Sequence, residues 1–252
     1  VQACATIPGR GLTDQRITGR PTMKTNRLSY ALGMFGLLVA STLVIETGFA
    51  ASHELPQTTH DGLVLQPDTK VRAAYLKPGT SLAGYDKVAL LDCFVSFKKD
   101  WQRDYNRDAS FENRVSDKDM DDIKKRVAKE FKAVFTKELE KGGFPIVDTA
   151  AQDVLVVRPA IVNLVVTAPD TMSTGRSRSF APSSGEMTLY MELFDSVSGA
   201  IIARVVDPQA DRGIGGAMNR VTNKAAADRM LTMWAEALSN HLNAVKAANS
   251  GS

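Results

Sequence analysis

A chain of 252 residues with 31 basic and 28 acidic side chains carries a formal charge of +3 at neutral pH. All of that excess lies in the first 50 residues, which hold Arg10, Arg16, Arg20, Lys24 and Arg27 against Asp14 and Glu46. The rest of the chain is balanced and lacks the basic footprint of a nucleic-acid binder.

Residues 1–22 precede a better start at Met23, show no apolar periodicity and read as upstream residues outside the mature protein. From Met23 to Ala50 the chain has the three parts of a secretory signal peptide. Lys24 and Arg27 form a positive n-region, Leu28 to Leu43 an apolar run, and Gly48 and Ala50 occupy the −3 and −1 places of a cut after Ala50. The run is also long enough for a transmembrane helix. Glu46 and Gly48 interrupt it, however, and no basic stop-transfer flank follows, which favours cleavage. Export through the Sec pathway to the periplasm or cell envelope is the expectation, with no transmembrane anchor after cleavage. Of the two cysteines, Cys4 falls in the upstream segment and Cys93 in a predicted strand, so the mature chain has no internal disulfide. No cysteine lies at the end of the leader to accept a lipid.

Residues 51–68 are polar, contain Pro56 and Pro67, and read as a tail. A short strand is expected over Val71–Leu76, then one strand buried on both faces over Lys87–Phe97. Ser116 and Asp119 make an S-x-x-D capping signature for a helix that ends at Gly142-Gly143. Its residues Ile123, Val127, Phe131, Phe135 and Leu139 share one face. Phe144–Val147 reads as a short strand. Val154–Val166 reads as a long one in which Pro159 requires a bulge or an edge position. After a loop over Thr167–Ser184, Met187–Leu193 and Ala200–Val206 form a hairpin about Asp195–Gly199. A final helix is expected over Thr222–Ala247, with Met230, Leu231, Trp234, Leu238 and Leu242 on one stripe. The order β-β-α-β-β-β-β-α predicts a single α+β domain over residues 69–247, with 248–252 as a C-terminal tail. It is a two-layer sandwich in which two helices cover one mixed or mostly antiparallel sheet.

The run Tyr85–Leu90, the strand Val154–Val166, the hairpin Glu192–Gly199 and the helix segment Trp234–Leu238 together resemble the bacterial family called domain of unknown function 3313. The likeness rests on the order and spacing of these motifs from Asp61 to Val245. It implies an envelope protein, described for the family as a lipoprotein without assigned activity, and supplies no catalytic residues. The missing lipid-acceptor cysteine departs from that description.

No chemistry assembles along the chain. Gly213-Ile214-Gly215-Gly216 lacks the lysine and preceding strand of a phosphate loop. Asp117, Asp119 and Asp121 begin like a calcium loop, but the glycine and terminal glutamate such a loop needs are replaced by Asp122 and Ala128. His53, His60 and His241 are scattered, and Cys93 has neither a metal-ligand spacing nor a partner histidine, so no catalytic residue, cofactor or metal is assigned.

Two segments go beyond core packing. Lys98–Val115 sets Trp101, Tyr105 and Phe111 among Arg103 and Arg107, a combination common at binding surfaces. The bland alternative is that its aromatics cover a sheet edge. Ser173–Ser179 carries Arg176 and Arg178, suited to an anionic partner or simply solvated. The favoured expectation is a non-enzymatic envelope protein that binds another envelope component, whether a protein, a lipid or a glycan. The competing class is a periplasmic hydrolase using loop carboxylates that converge in space.

Overall fold

The computed structural model describes residues 55–167, 179–181, 185–210, 216–218 and 220–251. The leader with its cleavage site lies outside them, as do Arg176, Arg178 and Gly213-Ile214-Gly215.

Nine strands and three α-helices occupy the described residues. Strands β1 (Val64–Leu65), β2 (Ala73–Leu76), β3 (Lys87–Leu90) and β4 (Phe94–Phe97) come first. Helices α1 (Trp101–Asp108) and α2 (Asp117–Lys141) follow, then β5 (Val154–Val166), β6 (Ser179–Ala181), β7 (Gly185–Asp195), β8 (Ile201–Ala210), β9 (Gly216–Met218) and helix α3 (Arg220–Ser250). The main sheet has the order β1-β2-β8-β7-β5-β3, with β4 also paired to β5. β3 and β4 run parallel to β5 and the other pairings are antiparallel, so the sheet is mixed and the fold is α+β. β6 and β9 form a separate antiparallel pair.

Several elements differ from expectation for local reasons. The apolar run Lys87–Phe97 is two strands, broken at Leu91–Cys93, each laid against a different length of β5. That break explains Pro159. Leu91 N–H donates to Val157 O, so by the period of two Pro159 also turns its backbone nitrogen toward the β3–β4 side, where no strand asks for a donor. The proline therefore sits inside an internal strand. The irregularity in β5 falls later, between Val162 and Val165, where Asn163 has φ 54°. Phe144–Val147 contributes a single bridge, Ile146 to Val88.

Helix α2 starts where its capping signature placed it. The Ser116 side chain accepts from Asp119 N–H, and the Asp119 carboxylate accepts from Ser116 N–H. Asp119 of the aspartate run is thus part of the helix cap, while Asp117 accepts from Gln102 and Asp121 pairs with Lys124. Helix α3 is longer than the predicted Thr222–Ala247. Contacts between α2 and α3 advance in the same sense along both helices. Lys224 meets Glu130, Lys141 approaches Glu236, and Asn243 donates to Gly142 O, so the two run parallel. Their apolar faces, including Phe131, Phe135, Leu231, Trp234 and Leu238, close one core with Leu155, Val157, Leu189, Met191 and Leu193 of the sheet. Cys93 is buried within this core, which pushes its thiol up to about 12. Among the described residues no helix is long and apolar enough to cross a membrane.

The expected polar tail is the largest departure. Residues from Leu55 onward fold over the opposite face of the sheet. Thr58 bridges Val64, Thr59 and Leu63 exchange backbone and side-chain hydrogen bonds, and Gly62 at φ 80° makes the turn between them. Leu63 is fully buried and forms a second small core with Ala73 and Tyr75.

Candidate functional site

The segment chosen from the sequence is mostly helical. Trp101 opens α1, is 8% exposed, and stacks between Phe97 and Tyr105 with ring centroids 4.6 and 5.4 Å away. Gln102 and Asn106 donate to Val115 O, and Val115 N–H returns a bond to the Asn106 amide oxygen, which fastens the segment to the start of α2. Arg103 pairs with Asp100 and Asp104, and Arg107 with Asp104 and Asp108, all on the surface. Trp101 and Tyr105 thus serve packing, and the two arginines are offset by neighbouring carboxylates. Phe111 differs: it is 85% exposed, with the Arg114 guanidinium 6.0 Å from its ring centre.

A polar cluster that sequence reading missed crosses the outer sheet face. Tyr75, Arg204, Glu192 and Arg158 lie in register on four neighbouring strands, β2, β8, β7 and β5. Arg204 grips Asp61 of the N-terminal hairpin through two hydrogen bonds of 3.0 and 2.6 Å, and reaches Glu192 Oε1 at 2.8 Å. Glu192 also accepts from Arg158 and from Tyr190 Oη, and Arg158 lies over the Phe194 ring at 4.8 Å. The hydrogen bonds from Arg204 and Thr59 hold the Asp61 carboxyl well below the usual range. Burial pushes Glu192 up, but bonds from Arg158, Arg204 and Tyr190 outweigh it and the net shift is downward. Both carboxylates are therefore held ionised, the opposite of what a general acid needs. The cluster latches the hairpin to the sheet. The signals available were the Asp61-Gly62 turn dipeptide and Leu63-Val64-Leu65 after it.

On the helix-covered face the core is incomplete at one end. A cleft of about 520 Å³ opens between the first half of α2, the start of α3 and the ends of β5 and β7. Ile123 and Val127 wall it from α2, Leu164 and Val166 from β5, Met187 from β7, and Met230 and Leu231 from α3. Ala226 and Ala227 stand where larger side chains would fill it. Gly185 lets the strand ends approach, since a Cβ there would lie 2.5 Å from Val165 O. At the mouth Lys224 ties α3 to Glu130 of α2 at 2.8 Å and also meets Asp228. These two carboxylates, Asp228 foremost, raise the Lys224 ammonium above its ordinary value. Protein interiors rarely leave voids larger than a water molecule, and this volume falls within the roughly 300–1,000 Å³ of small-molecule sites. Among the described residues no cluster of histidine, cysteine and carboxylate side chains could hold a metal ion.

No curated protein matches the sequence. Similar solved structures include a PelC dodecamer from Paraburkholderia phytofirmans, 13% identical, with TM-score 0.35 over 66% of this chain and 95% of that one. Another is a Helicobacter pylori protein provisionally described as a neuraminyllactose-binding hemagglutinin homolog, 13% identical, with TM-score 0.32 over 69% of this chain and 93% of that one. No inference about this chain rests on either. The profile of one family, described as a protein of unknown function (DUF3313), matches residues 60–238, from within the latched hairpin to the middle of α3. That span is well over half of the chain, so the protein belongs to the DUF3313 family.

Proposed function

We propose that this is an exported, non-enzymatic protein of the bacterial cell envelope that binds another envelope component in the cleft between α2, α3 and the sheet. Export rests on the leader: Lys24 and Arg27, the apolar run and the Gly48-Phe49-Ala50 cut. Binding rests on one observation, a largely apolar cleft of about 520 Å³ that opens into the core between α2, α3 and the sheet. Exposed Phe111 beside Arg114 supports a secondary contact for a protein partner.

The test is native mass spectrometry of the protein isolated from the envelope fraction of cells expressing it from Met23. The reading expects a polypeptide beginning at Ala51 that carries an added non-covalent mass, and expects Ala227→Trp, which fills the cleft, to lose that mass. A chain retaining Met23 contradicts export with cleavage. An unliganded wild-type protein, or equal retention by the variant, contradicts the cleft as the site.

A further inference from the structure

We infer that the cleft takes one acyl chain whose anionic head group lies against Lys129 at the rim; this rests on the reading that the cleft is the ligand site. The walls decide the tail. Among the described side chains lining the cleft there is no hydroxyl and no amide, so a sugar or peptide placed against its apolar walls would bury polar groups without partners there. A hydrocarbon chain has none to satisfy. Met187 and Met230 add unbranched, adaptable surface of the kind that accepts flexible apolar ligands. The volume, in the lower half of the small-molecule range of about 300–1,000 Å³, suits one chain better than the two of a diacyl lipid.

The rim decides the head. Its charged lining residues are Arg126, Lys129 and Lys224 against Glu130 and Glu186, with Asp228 beside Lys224. Lys224 is already engaged by Glu130 and Asp228. Lys129 is exposed and forms no ion pair with the described residues, so it is the cation offered to a ligand. A carboxylate or phosphate head there gains a charge-assisted contact while its tail occupies the apolar space.

The experiment is displacement of the neutral fluorophore N-phenyl-1-naphthylamine from the full chain by amphiphiles of equal tail length. Dodecanoate should displace the probe at roughly threefold to fivefold lower concentration than dodecanol, the size expected of one exposed ion pair. Lys129→Glu should abolish that preference and leave dodecanol unchanged. Dodecanoyl lysophosphatidylglycerol run alongside separates a phosphate source from a free fatty acid, the stronger competitor naming the source. If dodecanol or dodecyltrimethylammonium competes as well as dodecanoate, or the preference survives Lys129→Glu, the head-group assignment is wrong and the cleft reading stands. If the wild type takes up no displaceable probe, or Ala227→Trp takes up as much, the cleft reading itself fails.

Discussion

The two faces of the sheet are closed by different physics. Toward α2 and α3, side chains such as Leu155, Val157, Leu189 and Leu193 are almost fully buried against Phe131, Phe135, Leu231 and Trp234. A buried polar tie crosses that layer, where Trp234 Nε1 donates to Asp207 Oδ2 at 2.7 Å. Asp207 also accepts from Arg72 N–H and from the Gln209 amide, so its carboxylate is well satisfied. The opposite face is covered over β2 and β8 by a short hairpin whose apolar contribution is small, and the Asp61–Arg204–Glu192–Arg158 row secures it. The helix side draws its stability from apolar area, which pH barely touches. The hairpin side depends on ionised groups, and so on pH. The cleft of ligand size described above lies on the helix side.

The contrast predicts a graded series of effects. Trp234→Ala removes the largest fully buried side chain and one donor to Asp207, and should cost about 3–5 kcal/mol, read from the urea midpoint. An unchanged midpoint would place that side chain outside the core. Arg204→Leu strips both the hairpin latch and a partner of buried Glu192, and should cost about 3 kcal/mol. The double variant Arg204→Leu, Glu192→Leu should recover part of that loss, because the stranded charge is then gone. Failure of the second change to help would show that Glu192 does not depend on Arg204.

Acid should weaken the hairpin latch. Asp61 and Glu192 have folded pKa values below their unfolded values of about 3.9 and 4.3, so their contribution is full above about pH 4 to 5. It is lost as pH falls through the folded values. Stability followed down to about pH 2 should therefore drop less steeply in Asp61→Asn than in the wild type. Parallel curves would mean the latch contributes nothing. Smallest of all, Arg103→Ala should move the midpoint by less than about 0.5 kcal/mol, since its carboxylate partners are exposed. A larger loss would mean that α1 is held by its charges rather than by the Phe97–Trp101–Tyr105 stack.

The same contrast explains what could be read from the residues. Helices α2 and α3 and the β7–β8 hairpin follow local rules, with a capping signature, an apolar stripe, strict alternation and the Asp195–Gly199 turn, and each is legible in the residues. The latch obeys no local rule, because Asp61 and Arg204 lie 143 positions apart and meet only once β2 and β8 have paired. Segment 98–115 looked like a binding loop for a related reason. A Trp and Tyr four residues apart beside arginines suit a surface, and the stack of these rings on Phe97 becomes visible only in the fold. The cleft was invisible for the opposite cause, since small residues such as Ala226 and Ala227 look like ordinary helix formers until the space facing them is seen to be unfilled.

The most direct measurement of the central claim is Ala227→Trp, followed at once by urea denaturation and by uptake of N-phenyl-1-naphthylamine. If the void exists for a ligand, the indole fills it, the unfolding midpoint holds or rises and probe uptake is abolished. A folded variant that takes up the probe as the wild type does would contradict the account.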